Sequence, residues 1–223
     1  RAAAGDDAAL EPARRPRSCR LGGGLMSHRV IAGTARGRRL KLVPGDSTRP
    51  IMDRVKEALF SILGRDIIDA SLLDLFAGTG AVGIEALSRG AAHVTFFDLE
   101  RRAIDTIRDN LKTTGLGDNA DVRRVDSLAA LRKAPARTFD YIYIAPPQYK
   151  GMWLTALEAL DANPAWIPDG TQVILQIDPS EVATVSLKRL AEYDQRTYGR
   201  TLLWFFEADT PDDESPPDEE AEG

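Results

Sequence analysis

The chain has 223 residues, 43% hydrophobic and 28% charged, with a formal net charge of −5, a composition typical of one soluble domain with tails. No apolar run approaches the roughly 18 residues that a membrane span needs, which excludes an integral membrane protein. Cys19 is the single cysteine and no Cys/His cluster has metal-ligand spacing, so we expect a cytoplasmic protein that uses no metal.

The two ends of the chain differ in composition from its middle. Residues 1–25 carry five arginines against three acids and show no apolar periodicity, and residues 207–223 carry nine acids and no base. We predict disorder for residues 1–25 and for the acidic tail, residues 208–223. One folded domain is expected between them, over residues 26–207.

The folded part is predicted to begin with a basic β-hairpin over residues 28–43. The segments HRVIAG and RRLKLV flank a Thr-Ala-Arg-Gly turn. Residues 28–56 hold eight Lys and Arg, Lys56 among them, against Asp46 and Asp53. Such a block is a candidate nucleic-acid footprint, and a solvated hairpin face is the alternative.

The rest of the chain alternates between helix and strand patterns. In chain order we predict a helix over 50–63, strand 71–76, helix 81–90, strand 93–98, helix 101–115, strand 121–125, a short helix after Asp126, strand 139–144, helix 151–160, strand 172–177 and a closing antiparallel hairpin over 193–207. Nearly continuous apolar strands that alternate with helices predict an α/β fold with a mostly parallel, seven-stranded sheet covered on both faces.

A glycine motif follows the first predicted strand. DLFAGTGAVG places Gly78, Gly80 and Gly83 in a G-x-G-x-x-G pattern, where the backbone can turn tightly and approach a ligand. Asp98 ends the second strand, where a carboxylate can accept hydrogen bonds from both hydroxyls of a ribose. The pattern predicts a nucleotide-like ligand, with a plain tight turn as the alternative.

S-adenosylmethionine fits this pattern better than a dinucleotide. Only one more half-sheet follows the glycine unit, which is too little for the substrate-binding part of a dehydrogenase. Asp74, just ahead of the loop, can help neutralise an ammonium group. Asp126, after the third strand, can accept from the adenine amine, or cap the next helix.

The fourth strand ends on a double proline beside the predicted cofactor crevice. Proline has no N–H and forces extended geometry on the residue before it, so the pair forms a rigid ledge with free carbonyl acceptors. Such acceptors can hold an exocyclic amine, and Tyr149 offers a stacking surface for a flipped-out base, worth ~1–3 kcal/mol. For Trp153, core packing is favoured. The predicted catalytic residues are Ala145, Pro146, Pro147, Gln148 and Tyr149.

Five motifs, in order along the chain, resemble one known family. They are TRPIMDRVKEALFSIL, LLDLFAGTGAVGIEALSRGA, VTFFDLERRAI, YIYIAPPQY and RTYGRTLLWF. They are similar to the RsmD family of class I S-adenosylmethionine-dependent methyltransferases, which act on the guanine N2 of bacterial 16S ribosomal RNA. The resemblance covers about His28 to Glu207 and implies a Rossmann-like fold.

The resemblance also implies site residues. The segment from Thr48 to Arg54 would fold over the methionine end of the cofactor. The implied cofactor-binding residues are Thr48, Arg54, Asp74, Phe76, Ala77, Gly78, Thr79, Gly80, Gly83, Asp98, Leu99, Asp126 and Ser127. The implied RNA-binding residues are Arg29, Arg36, Arg38, Arg39, Lys41 and Lys150. The expected partner is ribosomal RNA in an assembling small subunit, bound by a monomer.

Ala145 departs from the family pattern, which usually has Asp or Asn at this place. The Pro146 carbonyl and Gln148 could suffice, the alanine could slow turnover while cofactor binding persists, or the target nitrogen could differ. Two rival hypotheses follow: a methyltransferase for another amino group, and a binding module without turnover. Neither His28 nor His93 has a nucleophile partner, which excludes hydrolase triads; His93 is expected to be structural, and His28 to be exposed or near phosphate.

Overall fold

The computed structural model describes residues 28–45 and 51–209. Its helices are α1 (Asp53–Leu63), α2 (Ala81–Ser88), α3 (Arg101–Thr114), α4 (Ser127–Leu131) and α5 (Met152–Ala162). Its strands are β1 (Ser71–Asp74), β2 (His93–Asp98), β3 (Ala120–Arg124), β4 (Tyr141–Ile144), β5 (Gln172–Ile177), β6 (Leu190–Tyr198) and β7 (Thr201–Ala208). Short 3-10 turns follow α3, α5 and β5.

The strands form one seven-stranded sheet in the order β3-β2-β1-β4-β5-β7-β6. All pairs among β1 to β5 are parallel, whereas β7 lies antiparallel between β5 and β6. The predicted α/β sheet and its closing antiparallel hairpin are therefore confirmed. The apolar runs predicted as strands are buried because helices cover both faces of the sheet.

Each face of the sheet carries its own hydrophobic core. Successive residues of a strand point to opposite faces, so Leu72 packs in one core and Leu73 in the other. The first core takes α1, α2 and α3, and the second takes α4 and α5. Trp153 of α5 is 3% exposed, and its ring centroid lies 6.0 Å from that of Trp204. The expectation that Trp153 is a core residue is confirmed.

The N-terminal segment forms a docked hairpin instead of a regular ladder. Its arms share a single antiparallel bridge, between Arg29 and Arg39. Two of its backbone donors bind α2 instead of the other arm: Glu85 accepts from the N–H of Ile31 at 2.7 Å and of Ala32 at 2.9 Å. The ladder is short because a buried side chain of the domain replaces the partner strand.

Lys56 is wholly buried and does not belong to the surface block in which the sequence placed it. Its Nζ lies 3.3 Å from Glu85 Oε2 and donates to the Arg29 carbonyl at 2.5 Å. Burial lowers the pKa of Lys56, and the nearby Glu85 carboxylate partly offsets that effect. Losing one partner of such a pair costs about 3–5 kcal/mol, so this pair holds the hairpin against α1 and α2.

The predicted ends of the domain are only partly within the described residues. β7 runs to Ala208, which is buried, one residue beyond the predicted end of the domain. The predictions of disorder for residues 1–25 and for most of the acidic tail lie outside the described residues. Within residues 28–45 and 51–209, no helix is both long and apolar enough for a membrane span, and no cluster of three metal-ligating side chains occurs.

Candidate active site

The predicted site residues that the structure describes come mainly from one edge of the sheet. The glycine loop follows β1, Asp98 ends β2, Asp126 follows β3, and the double proline follows β4. These four strands are parallel neighbours, so their carboxyl ends meet along one crevice. Arg54 is exposed in the first turn of α1, and Thr48 lies outside the described residues.

The glycine loop is tied directly to Asp98. The N–H of Gly78 donates to Asp98 Oδ2 at 2.8 Å, and the N–H of Ala77 donates to the Phe97 carbonyl at 3.0 Å. Gly78 has a φ of 53° and Gly80 a φ of 76°, left-handed conformations that favour glycine. The loop therefore lies close to the β2 carboxylate that was predicted to bind a ribose.

Gly83 has a packing role that its motif alone does not show. A Cβ at this position would lie 2.3 Å from Phe96 Cε1 and 2.7 Å from Val94 Cγ1. Only glycine lets α2 pack this closely on β2. Gly83 also sits with its backbone N–H directed at Asp74, where that bond favours the ionised carboxylate.

Asp74 is the buried acid of the crevice. It is 1% exposed, and its Oδ1 has no hydrogen-bond partner among the described residues. Burial, followed by the charge of Asp98, raises its pKa to about 7. Hydrogen bonds from the backbone N–H groups of Gly83 and Phe76 lower the pKa and offset part of this rise. Leaving such an acceptor unpaired costs about 1–3 kcal/mol, so a ligand that donates to Oδ1 is expected to bind here.

Asp126 and Ser127 are engaged with the protein itself. Asp126 Oδ1 caps α4 by accepting from the N–H of Ala129 at 3.1 Å, the role considered beside adenine binding. The buried Ser127 hydroxyl donates to the Leu75 carbonyl and so joins α4 to the end of β1. Leu99, which follows β2, is 56% exposed and offers an apolar surface at the crevice edge.

Thr79 of the glycine loop is fastened to the N-terminal hairpin. His28 Nε2 lies 2.7 Å from Thr79 Oγ1. His28 is buried, which overturns the expectation of an exposed or phosphate-bound side chain. Burial, followed by the charge of Lys56, lowers the pKa of His28 to about 4, so the imidazole is neutral at pH 7.

Asn110 of α3 joins the other end of the hairpin to the same loop. Its amide donates to the carbonyls of Thr79 at 2.9 Å and Lys41 at 3.1 Å, and accepts from the N–H of Lys41 at 2.7 Å. Asn110 was not among the predicted site residues. The sequence does contain a pattern that indicates it: Asn110 is an amide on the apolar face of α3, next to Leu111 and three residues after Ile107.

The residues of the double-proline ledge, 145–149, become more exposed toward its C-terminal end. Ala145 and Pro147 are half-buried and Pro146 is buried, whereas Gln148 and Tyr149 are exposed. The ledge thus continues β4 out of the core and presents its last two side chains at the surface. Lys150, one of the predicted RNA-binding residues, follows it and is also exposed.

Tyr149 is held in a strained position by three residues that the sequence analysis missed. Its φ of 61° is left-handed, which is rare for an aromatic residue and typical of functional sites. Its N–H donates to Glu181 Oε1 at 2.8 Å and its hydroxyl donates to Asp178 Oδ2 at 3.1 Å. Arg200 donates to the same hydroxyl at 2.8 Å. The residue is nevertheless 61% exposed, as a stacking surface requires.

Asp178 is stabilised in its ionised form by its hydrogen bonds. Hydrogen bonds from the Ser180 backbone and hydroxyl lower its pKa to about 2, and bonds from Tyr149 and Arg200 act in the same direction. Asp178 and Glu181 follow β5 at the same edge as the ledge, which was an available signal. Arg200 lies in the β6–β7 turn, and nothing local in the sequence pairs it with Tyr149.

Comparison with known proteins places the chain in a family. A family model described as Conserved hypothetical protein 95 matches residues 28–207. The chain belongs to this family. The Bacillus subtilis protein YlbH is 40% identical over 175 residues, which make up 78% of this chain and 95% of that protein.

A second curated relative and a solved structure also match most of the chain. The Ribosomal RNA small subunit methyltransferase D of Escherichia coli K12 is 34% identical over 166 residues, 72% of this chain and 82% of the relative. The solved structure of Escherichia coli yhhF matches with a TM-score of 0.72 at 30% identity, covering 82% of this chain and 98% of that chain. The resemblance to the RsmD family drawn from the motifs is confirmed.

The predicted RNA-binding residues of the hairpin are exposed but differ in their partners. Arg29 pairs with Asp53 at 3.2 Å, and Lys41 pairs with Asp109 at 2.7 Å. The other three have no ion-pair partner within the described part of the chain: Arg36, Arg38 and Arg39. On the hairpin, these three arginines are therefore the cations most available to bind a partner.

Proposed function

We propose that this protein transfers a methyl group from S-adenosylmethionine to the exocyclic N2 amine of a guanine in small-subunit ribosomal RNA. The unpartnered, buried Asp74 Oδ1 beside Asp98 carries the proposal, because it is an acceptor prepared for a cationic or donor ligand. The double-proline ledge stands at the same edge of the sheet, after the adjacent strand β4. The names of relatives such as the Escherichia coli enzyme support the choice of RNA.

The residues of the crevice fit the chemical groups of the cofactor. Asp74 matches its ammonium group, and Asp98 matches the two ribose hydroxyls. Leu99 offers an apolar contact to the adenine, whose amine faces Asp126. When bound, S-adenosylmethionine supplies a methyl group on a sulfonium, a strong electrophile that needs no metal.

The ledge holds and orients the target amine. Pro146 and Pro147 hold the backbone extended, and among the described residues no backbone N–H bonds to their carbonyls, so these can accept from the amine. Orientation of the nitrogen at about 3–3.5 Å from the methyl carbon, in line with the breaking bond, supplies much of the rate. Tyr149 stacks on the extruded base, and the Arg200 and Asp178 side chains fix the ring.

The hairpin grips the RNA in this proposal. Arg36, Arg38 and Arg39 are exposed and supply charge for phosphates, with Lys150 beside the ledge. The chain has no separate RNA-binding domain among residues 28–45 and 51–209, so we infer that a folded ribosomal target is recognised. The proposed enzyme is a cytoplasmic monomer that acts on an assembling small subunit.

The test is the transfer of labelled methyl from S-adenosylmethionine to small ribosomal subunits that lack the modification. Label on one guanine N2 is the expected result. Label on an adenine N6 or on a small molecule would keep the methyltransferase and change its substrate. Tight cofactor binding without any transfer would favour a binding module, with Ala145 as the cause.

A further inference from the structure

Glu181 carries an unpaired acceptor at the ledge. Its Oε1 accepts from the Tyr149 N–H at 2.8 Å. Its Oε2 is buried and has no hydrogen-bond partner among the described residues. A buried carboxylate oxygen without a donor costs about 1–3 kcal/mol or more, so a donor from outside the chain, a ligand group or a water, is expected at Oε2.

Glu181 lies beside the ledge that is proposed to hold the target amine. β5 pairs in parallel with β4, and Glu181 lies four residues after the end of β5. Its carboxylate touches the backbone of Tyr149, two residues after Pro147. Ala145, at the inner end of the ledge, has no side-chain acceptor. Two carboxylates from outside the motif contact the ledge: Asp178 accepts from the Tyr149 hydroxyl, whereas Glu181 accepts from the Tyr149 backbone and keeps one oxygen unpaired.

We propose that Glu181 is a substrate-binding residue that accepts a hydrogen bond from the base to be methylated. This inference rests on the proposed function. Guanine presents two adjacent donors on one edge, N1–H and the N2 amine, which match the two oxygens of a carboxylate. Adenine places an acceptor, N1, beside its amine and would set that lone pair against a carboxylate oxygen. Glu181 thereby favours guanine as the target.

The alternative role, a plain anchor for the Tyr149 backbone, makes a different prediction. In Glu181→Gln the amide oxygen still accepts from the Tyr149 N–H, but an NH2 donor replaces Oε2. In Glu181→Ala both acceptors are lost. A substrate contact is damaged by both changes, whereas an anchor is damaged by the alanine alone.

The experiment measures methyl transfer to undermodified small subunits, cofactor affinity and thermal unfolding for the wild type and both variants. We expect Glu181→Gln to lower kcat/KM by about 10²-fold, by analogy with the loss of one polar contact to a reacting group. Cofactor Kd and unfolding temperature should stay at wild-type values. Glu158→Gln, the same change on an exposed position of α5, is the matched control.

The outcomes separate the two proposals. A Glu181→Gln variant with wild-type kcat/KM overturns the role of Glu181 and leaves the proposed function standing. Label on an amine other than guanine N2 contradicts the proposed substrate, and the ratio of wild type to Glu181→Gln still decides whether Glu181 contacts the base. A wild type that transfers no methyl to any substrate overturns both.

Discussion

At the scale of single residues, Asp74 and Tyr149 each hold a position that costs free energy. Asp74 is a buried acid with an unpaired oxygen, and Tyr149 has a left-handed backbone. Such costs persist where the surrounding structure imposes them, and they cluster at functional sites. Both residues lie at the carboxyl edge of the sheet, Asp74 at the end of β1 and Tyr149 after the adjacent strand β4. In the proposed function Asp74 contacts the cofactor and Tyr149 contacts the base.

Asp74 predicts that cofactor binding depends on pH. A cationic group beside it favours the ionised carboxylate, so binding below its pKa of about 7 must release a proton. We expect affinity for S-adenosylmethionine to rise up to about tenfold per pH unit below pH 7 and then to level off. Titration calorimetry from pH 5.5 to 8.5 should show a flatter profile for Asp74→Asn. Parallel profiles would contradict the contact.

Without cofactor the same group acts on stability in the opposite direction. The pKa of Asp74 is raised from 3.8 to about 7 in the folded state, so only the folded state holds its proton between those values. Its contribution to stability is present below pH 4 and is lost as pH rises to about 7. Relative to wild type, Asp74→Asn should therefore gain free energy of unfolding across this window, as measured by urea denaturation.

Tyr149 predicts a separation between turnover and cofactor binding. Tyr149→Phe keeps the ring but removes the hydroxyl that contacts Asp178 and Arg200. We expect kcat for methyl transfer to fall about tenfold because the ring loses its orientation, with cofactor Kd unchanged. Tyr149→Leu, which also removes the stacking surface, should lose more. Equal activity of the two variants would contradict a stacking role.

At the scale of elements, the N-terminal hairpin packs directly against the glycine loop. Its two ends reach Thr79 through His28 and Asn110, and its centre docks on Glu85 and Ser88 of α2. The element proposed to grip RNA is thus in direct contact with the element proposed to bind the cofactor. A change in its docking should therefore affect both functions.

Gly33 and Gly37 test this docking as a matched pair. Both have positive φ, 78° and 82°. A Cβ on Gly33 would lie 1.7 Å from the Ser88 carbonyl oxygen, whereas a Cβ on Gly37 meets nothing within 4 Å. Gly37→Ala should cost about 1–2 kcal/mol from backbone strain alone, and Gly33→Ala about 3 kcal/mol or more. Gly33→Ala should also weaken cofactor binding. Chemical denaturation and calorimetry measure both, and similar losses in the two variants would rule out tight docking.

At the scale of the whole molecule, charge is distributed unevenly. The net charge of −5 includes nine acids after residue 206, so the described domain is close to neutral and its hairpin is locally basic. Exposed ion pairs such as that of Lys41 with Asp109 contribute little to stability. The unpaired hairpin arginines are therefore better explained by a partner than by folding.

These arginines predict a change in salt dependence. Replacing Arg36, Arg38 and Arg39 by alanine should weaken binding to small-subunit RNA and lower the slope of log K against log salt by about one per lost phosphate contact. Cofactor Kd should not change. The control is Arg65→Ala, because Arg65 is an exposed arginine that follows the C-terminal end of α1, away from the hairpin in sequence. An unchanged slope would place the RNA on another surface.

The sheet, its helices and the residues that follow its strands could all be predicted from the sequence. Local periodicity encodes each element, and parallel strands bring their carboxyl ends together, so Asp98 and the ledge could be assigned to one crevice. The predicted bounds of β2 (His93–Asp98) and β5 (Gln172–Ile177) agree with the structure residue for residue. Each of these features could be predicted because the pattern that indicates a helix or a strand is local in the sequence.

The contacts between polar side chains could not be predicted from the sequence and are seen in the folded structure. His28 lies 51 residues from Thr79, Lys41 lies 69 from Asn110, and Tyr149 lies 32 from Glu181. No period or motif links residues so far apart, because their contacts arise when separate elements pack. For the same reason Lys56 is a surface cation by its sequence context, yet it is buried against Glu85, since α1, α2 and the hairpin close around both charges.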